Sequence, residues 1–145
     1  MGLEGFIPVP PAPGSALAKL DEKTKKLLLG KNFIFVSTIN KDGSPQLTPT
    51  WVDTDGENVL INSALGRQKV VNVARDPRVA IAVVNHENPY ERVSIKGKVV
   101  EEITGKAAED HIDKMSLKYT GEPKYRRNAP GEKRVLLVVK PLKVY

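Results

Sequence analysis

Two cations lie close together in "NSALGRQKVVNVARDPRV", residues 62–79: Arg67 and Lys69. The stretch reads as a strand end, a turn at Gly66 and a short helix that Asp76-Pro77 stops. Both cations then fall in the first helical turn. There the backbone dipole and unpaired N–H groups already carry positive charge, so each cation costs about 0.3–1 kcal/mol. One reading is a solvated helix end with Arg67 paired to a carboxylate. The other is an anion site, in which backbone N–H groups, Ser63 and the two long side chains converge on a phosphate. A bound dianion would reverse the dipole penalty. The spacing alone leaves both readings open. Neither the Gly-rich loop ending in Gly-Lys-Ser/Thr nor the Gly-x-Gly-x-x-Gly fingerprint occurs, so neither common nucleotide loop is present.

A second candidate is "GSPQLTPTWV", residues 43–52. Pro45 and Pro49 each remove a ladder donor, which confines this strand to an edge or a bulge. Trp51 is then either a core residue or part of a wall. Small polar Thr48 and Thr50 on an irregular edge could leave backbone groups free to bond a flat heterocycle. A third candidate is "NHENPYERV", where His86 could donate a proton and Tyr90 could stack on a ring; for both, a surface-loop role is the plainer reading. Lys124, Arg126, Arg127, Lys133 and Arg134 are expected in a basic loop, either a solvated turn or an extension of a cationic groove. No Ser–His–Asp arrangement or matched carboxylate pair is evident, so any redox chemistry would reside in a cofactor.

The elements that must position these residues follow from pattern and punctuation. Residues 1–16, with Pro8, Pro10, Pro11 and Pro13, read as an extended N-terminal arm, and residues 17–145 as one domain. "DEKTKKLLLG" carries an N-cap aspartate and a terminal glycine and predicts a short helix. "NFIFVSTI" predicts a strand buried on both faces. Asp42-Gly43 supplies a hairpin turn into "PQLTPTWVD", and "TDGEN" turns the chain again into "NVLINS", which together predict a three-stranded antiparallel meander. "RVAIAVVN" and "ERVSIKGKVVEEI" add two strands, the second with Gly97 at a bulge or sharp bend. A helix over "GKAAEDHIDKMSLKYTG" places Ile112, Met115 and Leu117 on one side, and "KRVLLVVKPLKVY" closes the sheet. About six hairpin-linked strands with helices inserted between them predict a mainly β fold, a small closed or partly closed barrel.

The chain has 145 residues, 40% hydrophobic and 28% charged, which is ordinary for a soluble globular domain. It has no cysteine and two histidines, His86 and His111, so disulfides, thiol chemistry and metal clusters are not expected. No apolar run spans a bilayer and no signal peptide is apparent, so a cytoplasmic protein is the expectation. The net charge of +6 favours an anionic partner without naming one.

The order "FVSTINKDGSPQLTPTWVDTDGENVLINSALGRQKVVNVARDPRVAIAV", then "GKVVE" and a terminal "RVLLVVKPLKVY", resembles the pyridoxamine-phosphate-oxidase-like split β-barrel, more narrowly its flavin- and deazaflavin-dependent oxidoreductase branch. The likeness runs from about Lys31 to Tyr145, and the Arg-x-Lys helix block is its most specific piece. It implies a homodimer with cofactor sites at the subunit interface and FMN or coenzyme F420 as the cofactor. By the same resemblance, Arg67 and Lys69 hold the cofactor phosphate, with Asn62 and Ser63 beside it. Gln46, Thr48, Pro49, Thr50 and Trp51 run along the ring, and Tyr90 and the C-terminal arginine region come from the second subunit. The pyridoxamine-phosphate substrate signature is not matched. F420 is favoured over FMN because its oligoglutamate tail suits a cationic chain.

The expected function is therefore a cofactor-dependent oxidoreductase that passes hydride to a small organic acceptor. Two alternatives compete with it. One is a non-catalytic FMN-binding carrier or sensor. The other is a basic small barrel that binds nucleic acid, which eight aromatic residues in the whole chain support poorly.

Overall fold

The computed structural model describes residues 18–145, so the expected proline-rich arm lies outside the described residues. Helix α1 (Glu22–Leu29) starts where Asp21 accepts a bond from the Thr24 amide at 2.8 Å, a cap worth about 1 kcal/mol. Seven strands follow: β1 (Ile34–Ile39), β2 (Pro45–Thr50), β3 (Asp53–Thr54), β4 (Val59–Ala64), β5 (Arg78–Val84), β6 (Arg92–Thr104) and β7 (Arg134–Val144). Helix α2 (Gln68–Arg75) lies between β4 and β5, and α3 (Lys106–Thr120) between β6 and β7.

All strands form one antiparallel sheet in the order β2-β1-β5-β6-β7-β4-β3. The two edge strands, β2 and β3, are separated in the chain only by Trp51 and Val52. A span that short reaches at most about 10 Å, so the sheet has to curl until its two edges nearly meet. The result is the expected mainly β barrel, split along the β2/β3 seam. Its interior is filled by Ile34, Val36, Val59, Ile61, Ile81, Val83, Ile95, Val135, Leu137 and Val139, with Leu27, Leu28, Val70 and Val73 of the helices packed against it.

Three sequence expectations are corrected here. The meander does not form: β4 pairs with β7 and β3, not with β2, because the chain crosses from one edge of the sheet to the other after Thr50. Strand β1 is buried on one face only, and Phe35 on the other face is 44% exposed. Its continuous apolar run reflects a second apolar face turned outward. In α3, Ile112 and Met115 are buried as expected, whereas Leu117 faces solvent. Gly97 behaves as predicted. The β6–β7 register shifts at Lys96/Gly97, and a Cβ there would lie 2.6 Å from the Lys140 carbonyl oxygen.

Candidate functional site

Strand β4 ends at Ala64, Gly66 turns the chain at φ 93°, and α2 begins with Arg67 in the N-cap position, where its side chain makes no capping bond. The turn directs Lys69 inward. Its side chain belongs to a residue only 7% exposed, and no carboxylate pairs with its ammonium among the described residues. The charges that face it are Arg67 and Arg134, so burial first and these two cations second push its pKa down. Arg67 itself is more exposed and touches Glu132, Nη2 to Oε1 at 3.3 Å. The bland reading therefore describes Arg67 in part, and fails for Lys69.

Arg134, expected where the basic loop runs into the closing strand, completes a three-cation cluster. It is the first residue of β7, paired with Ala64, and only 3% exposed, not part of a solvated turn. Its Nε donates to Asn62 Oδ1 at 3.0 Å, its guanidinium lies 5.1 Å from the Tyr125 ring centroid, and Glu132 approaches at 3.5 Å. Burial, then Arg67, lowers its pKa against the opposing pull of Tyr125 and Glu132.

Asn62 is fully committed. Its Nδ2 donates to the Ala108 carbonyl at 2.9 Å and to His111 Nδ1 at 3.2 Å. Since Nδ1 accepts, the proton of the imidazole is on Nε2, which donates to Asp53 Oδ2 at 3.0 Å. Lys114 also reaches Asp53, at 3.1 Å. Burial raises the Asp53 pKa, but the bonds from His111, the Thr54 amide and Lys114 outweigh it and hold the carboxyl at about 2. A buried chain thus runs Asp53–His111–Asn62–Arg134 from the β3 edge to the cation cluster. None of it was visible from sequence spacing, because its members come from four separate elements.

Successive residues on a strand face opposite ways, so Ser63 does not share the face of Asn62. It lies on the side of Ile61, with its Oγ buried and without a hydrogen-bond partner. Thr48 Oγ1 on β2 is likewise orphaned. Gln46 is tied into the scaffold: Thr38 Oγ1 donates to its Oε1 at 3.2 Å, Asn72 donates to Thr38 and Asn40, and Gln68 donates to Asn72 at 2.7 Å. That network pins α2 to β1 and β2. Pro45 and Pro49 occupy an edge strand as expected, Pro49 and Leu47 pointing outward and Thr48 and Thr50 half-buried.

Trp51, at the seam, stacks on Tyr119 of α3 at 5.0 Å and 4°, and Tyr125 meets its ring edge-on at 5.9 Å. Beyond Trp51 opens a cavity of about 870 Å³. Tyr90 is 88% exposed in the loop after β5 and contacts none of the cation cluster within this chain. His86 lines the cavity, its amide bonded to Asn32.

A curled antiparallel half-barrel, split at one seam and closed by short helices, is the architecture of a split β-barrel. The chain belongs to the pyridoxamine 5'-phosphate oxidase family, whose model matches residues 20–145. Among solved structures it is similar to an F420 reductase, with 27% identity, a TM-score of 0.74, and coverage of 83% of this chain and 94% of that one. It shares its fold with a conserved protein from Mycobacterium tuberculosis (22% identity, TM-score 0.68, 90% and 85% covered). The same holds for the general stress protein 26 from Bacillus anthracis (16% identity, TM-score 0.63, 86% and 90% covered). A comparison with curated proteins finds no match. Among the described residues no helix is long and apolar enough to cross a membrane.

Proposed function

We propose that this chain is an oxidoreductase that binds a phosphorylated flavin or deazaflavin, coenzyme F420 in preference to FMN, and passes hydride to a small organic acceptor. The observation that carries the proposal is Lys69: a buried lysine with two cations for neighbours and no counter-ion among the described residues. An arrangement of that kind costs stability in the free protein and is repaid when an anion binds. Arg67 and Arg134 are the other donors to the phosphate. Family membership and the likeness to an F420 reductase support a flavin-type cofactor, and the net charge of +6 suits the longer anionic tail of F420.

The cofactor supplies the hydride chemistry when bound. The protein's own residues bind, orient and exclude water. Arg67, Lys69 and Arg134 hold the phosphate and Asn62 aims Arg134, whereas Ser63 faces the barrel interior, on the other side of the strand from that cluster. Gln46, Thr48, Pro49, Thr50 and Trp51 form the wall along the ring, with backbone groups of an irregular edge available to a flat heterocycle. No side-chain nucleophile is needed. The active form is a homodimer. The outer face of β1, β2 and β5, where Phe35 opposes Pro49 and Ala82 and Ser37 opposes Leu47 and Ala80, exposes an apolar patch with Leu47 64% accessible. The second subunit brings its Tyr90 to the site.

Parallel titrations with FMN and F420 test this reading. Saturable binding is expected, tighter for F420, and the pair Arg67→Ala and Lys69→Met should weaken it at least about 100-fold, since each lost charge-assisted bond is worth about 1.5–3 kcal/mol. Failure of both cofactors to bind, or binding indifferent to these substitutions, overturns it. Tight binding without hydride transfer to any acceptor would instead favour a carrier or sensor.

A further inference from the structure

The cavity beside Trp51 is built from elements that the cation cluster does not use. It is bounded by the end of α1, the start of β1, the loop after β5 and the end of α3, and none of Ser63, Arg67, Lys69 and Arg134 lines it. At about 870 Å³ it falls within the range of small-molecule sites. Its floor is aromatic. Tyr119 stacks on Trp51 and lies 5.7 Å from Phe33 at 33°, and Phe33 is exposed toward the opening.

Charge is distributed unevenly around the mouth. Lys23, Lys26, Lys31 and Arg127 line it; none makes a close ion pair among the described residues, and only Lys23 has a carboxylate, Asp21, within electrostatic reach. Against these four cations stand two acids on the opposite loop, Glu87 and Glu91. The Glu91 carboxylate already accepts from Asn85 at 3.0 Å.

The walls are fixed in advance. Asn32 donates to the Leu27 carbonyl at 2.9 Å and accepts from the His86 amide at 2.8 Å, joining α1 to the loop after β5. The Tyr119 hydroxyl donates to the Asn32 carbonyl at 2.6 Å and accepts from the Val52 amide at 3.1 Å. A Cβ on Gly30 would lie 2.9 Å from Asn32 Nδ2, so a side chain there would push Asn32 from its bond to Leu27. Site geometry held by buried bonds loses little freedom when it is occupied.

We infer that this cavity is a second binding site, distinct from the phosphate cluster, for a small planar carboxylate whose ring lies against Phe33 and Trp51 and whose anion faces the α1 cations. An aromatic floor selects a flat conjugated body, and an unpaired cationic rim on one side selects and orients the anion. Glu87 and Glu91 on the far side disfavour a second negative charge at the other end of the ligand. The inference rests on the cavity's own walls and holds whichever cofactor occupies the cluster at α2.

Trp51 is the chain's single tryptophan and lines this cavity, so in cofactor-free protein its emission reports occupation of the cavity. The full-length protein is titrated with trans-cinnamate and, in parallel, with the neutral isostere cinnamyl alcohol, exciting at the red edge of the tryptophan band. Cinnamate is expected to give a saturable change, with the alcohol about tenfold weaker, and its affinity should fall as salt rises. The double reversal Lys26→Glu/Arg127→Glu changes exposed positions and should weaken cinnamate about three- to tenfold, the scale of surface ion pairs. Equal responses to the two ligands, no saturable response, or an unchanged affinity in the reversal variant would each overturn the inference. So would displacement of cinnamate by FMN, followed by saturation-transfer NMR, since the cavity would then be part of the cofactor site. Failure of FMN or F420 to bind leaves the cinnamate result unaffected and counts against the proposed function only.

Discussion

Arg134 Nε donates to Asn62 Oδ1 at 3.0 Å, and this one bond couples the cation cluster to helix α3. The Asn62 amide also bonds Ala108 and His111, so its two ends serve three buried partners. Asn62→Ala should leave Arg134 Nε and His111 Nδ1 without a partner and strip the Ala108 carbonyl of its side-chain donor. An unfolding free energy lower by on the order of 3 kcal/mol is expected in urea titration. Phosphate affinity should fall as well, because Arg134 loses its orientation. Loss of stability with unchanged affinity would place Arg134 outside the site.

Lys69→Met makes the opposite stability prediction. The substitution keeps a linear side chain, removes a buried ammonium and relieves its repulsion with Arg67 and Arg134. The free variant should be as stable as the parent or more so, by up to about 2 kcal/mol. Millimolar phosphate or FMN should raise the melting temperature of the parent and barely move that of the variant. A variant less stable than the parent would mean that Lys69 serves the fold rather than a ligand.

Gly97→Ala isolates the bend of β6. The added methyl would meet the Lys140 carbonyl oxygen at 2.6 Å and a Val139 methyl at 2.8 Å, both on a strand hydrogen-bonded on two sides. A loss of about 1–3 kcal/mol is expected in thermal or urea unfolding.

The sequence made the local units legible and left their partners hidden. Asp21, the Asp42-Gly43 turn, Gly97 and the Asp76-Pro77 stop act within a few residues, and each appears where punctuation puts it. Strand pairing is not local. The hydrophobic alternation of β4 is compatible with either β2 or β7 as neighbour, and nothing between Thr50 and Asp53 marks the crossing from one edge to the other. Arg67 and Lys69 stood out because they oppose a helix dipole, a local conflict. Arg134 and His111 carry no such mark, since their surroundings are made by residues 46 or more positions distant from Asn62. Phe33 and Phe35 read as core because an outward apolar face and an inward one look alike in sequence.

Two buried charges make opposite predictions for pH. The Asp53 carboxyl is held at about 2, below its ordinary 3.8. Its stabilising contribution is therefore complete above about pH 4 and is lost as pH falls toward 2, a change of about 2 kcal/mol. Asp53→Asn should remove that acid limb from the stability profile and lower stability at neutral pH.

Lys118 moves the other way. Its Nζ donates to the Leu28 carbonyl at 2.9 Å and the Val52 carbonyl at 2.7 Å, joining α3 to the end of α1 and to the seam. Burial lowers its pKa to about 8 from the ordinary 10.5, with Asp53 opposing and Lys114 reinforcing the shift. Because the folded state binds this proton less tightly than the unfolded chain, the contribution of Lys118 to stability is poorest below about pH 8. It should improve as pH rises toward 10.5. Over the same range the two carbonyls exchange a charged donor for a weaker neutral amine, so the seam between Trp51 and Asp53 should loosen locally while the whole chain gains. NMR titration of the Lys118 ammonium, alongside amide exchange at Val52 and Asp53, measures both effects. A midpoint near 10.5 would mean that the ammonium is solvated and that the bridge to Leu28 and Val52 does not persist in solution.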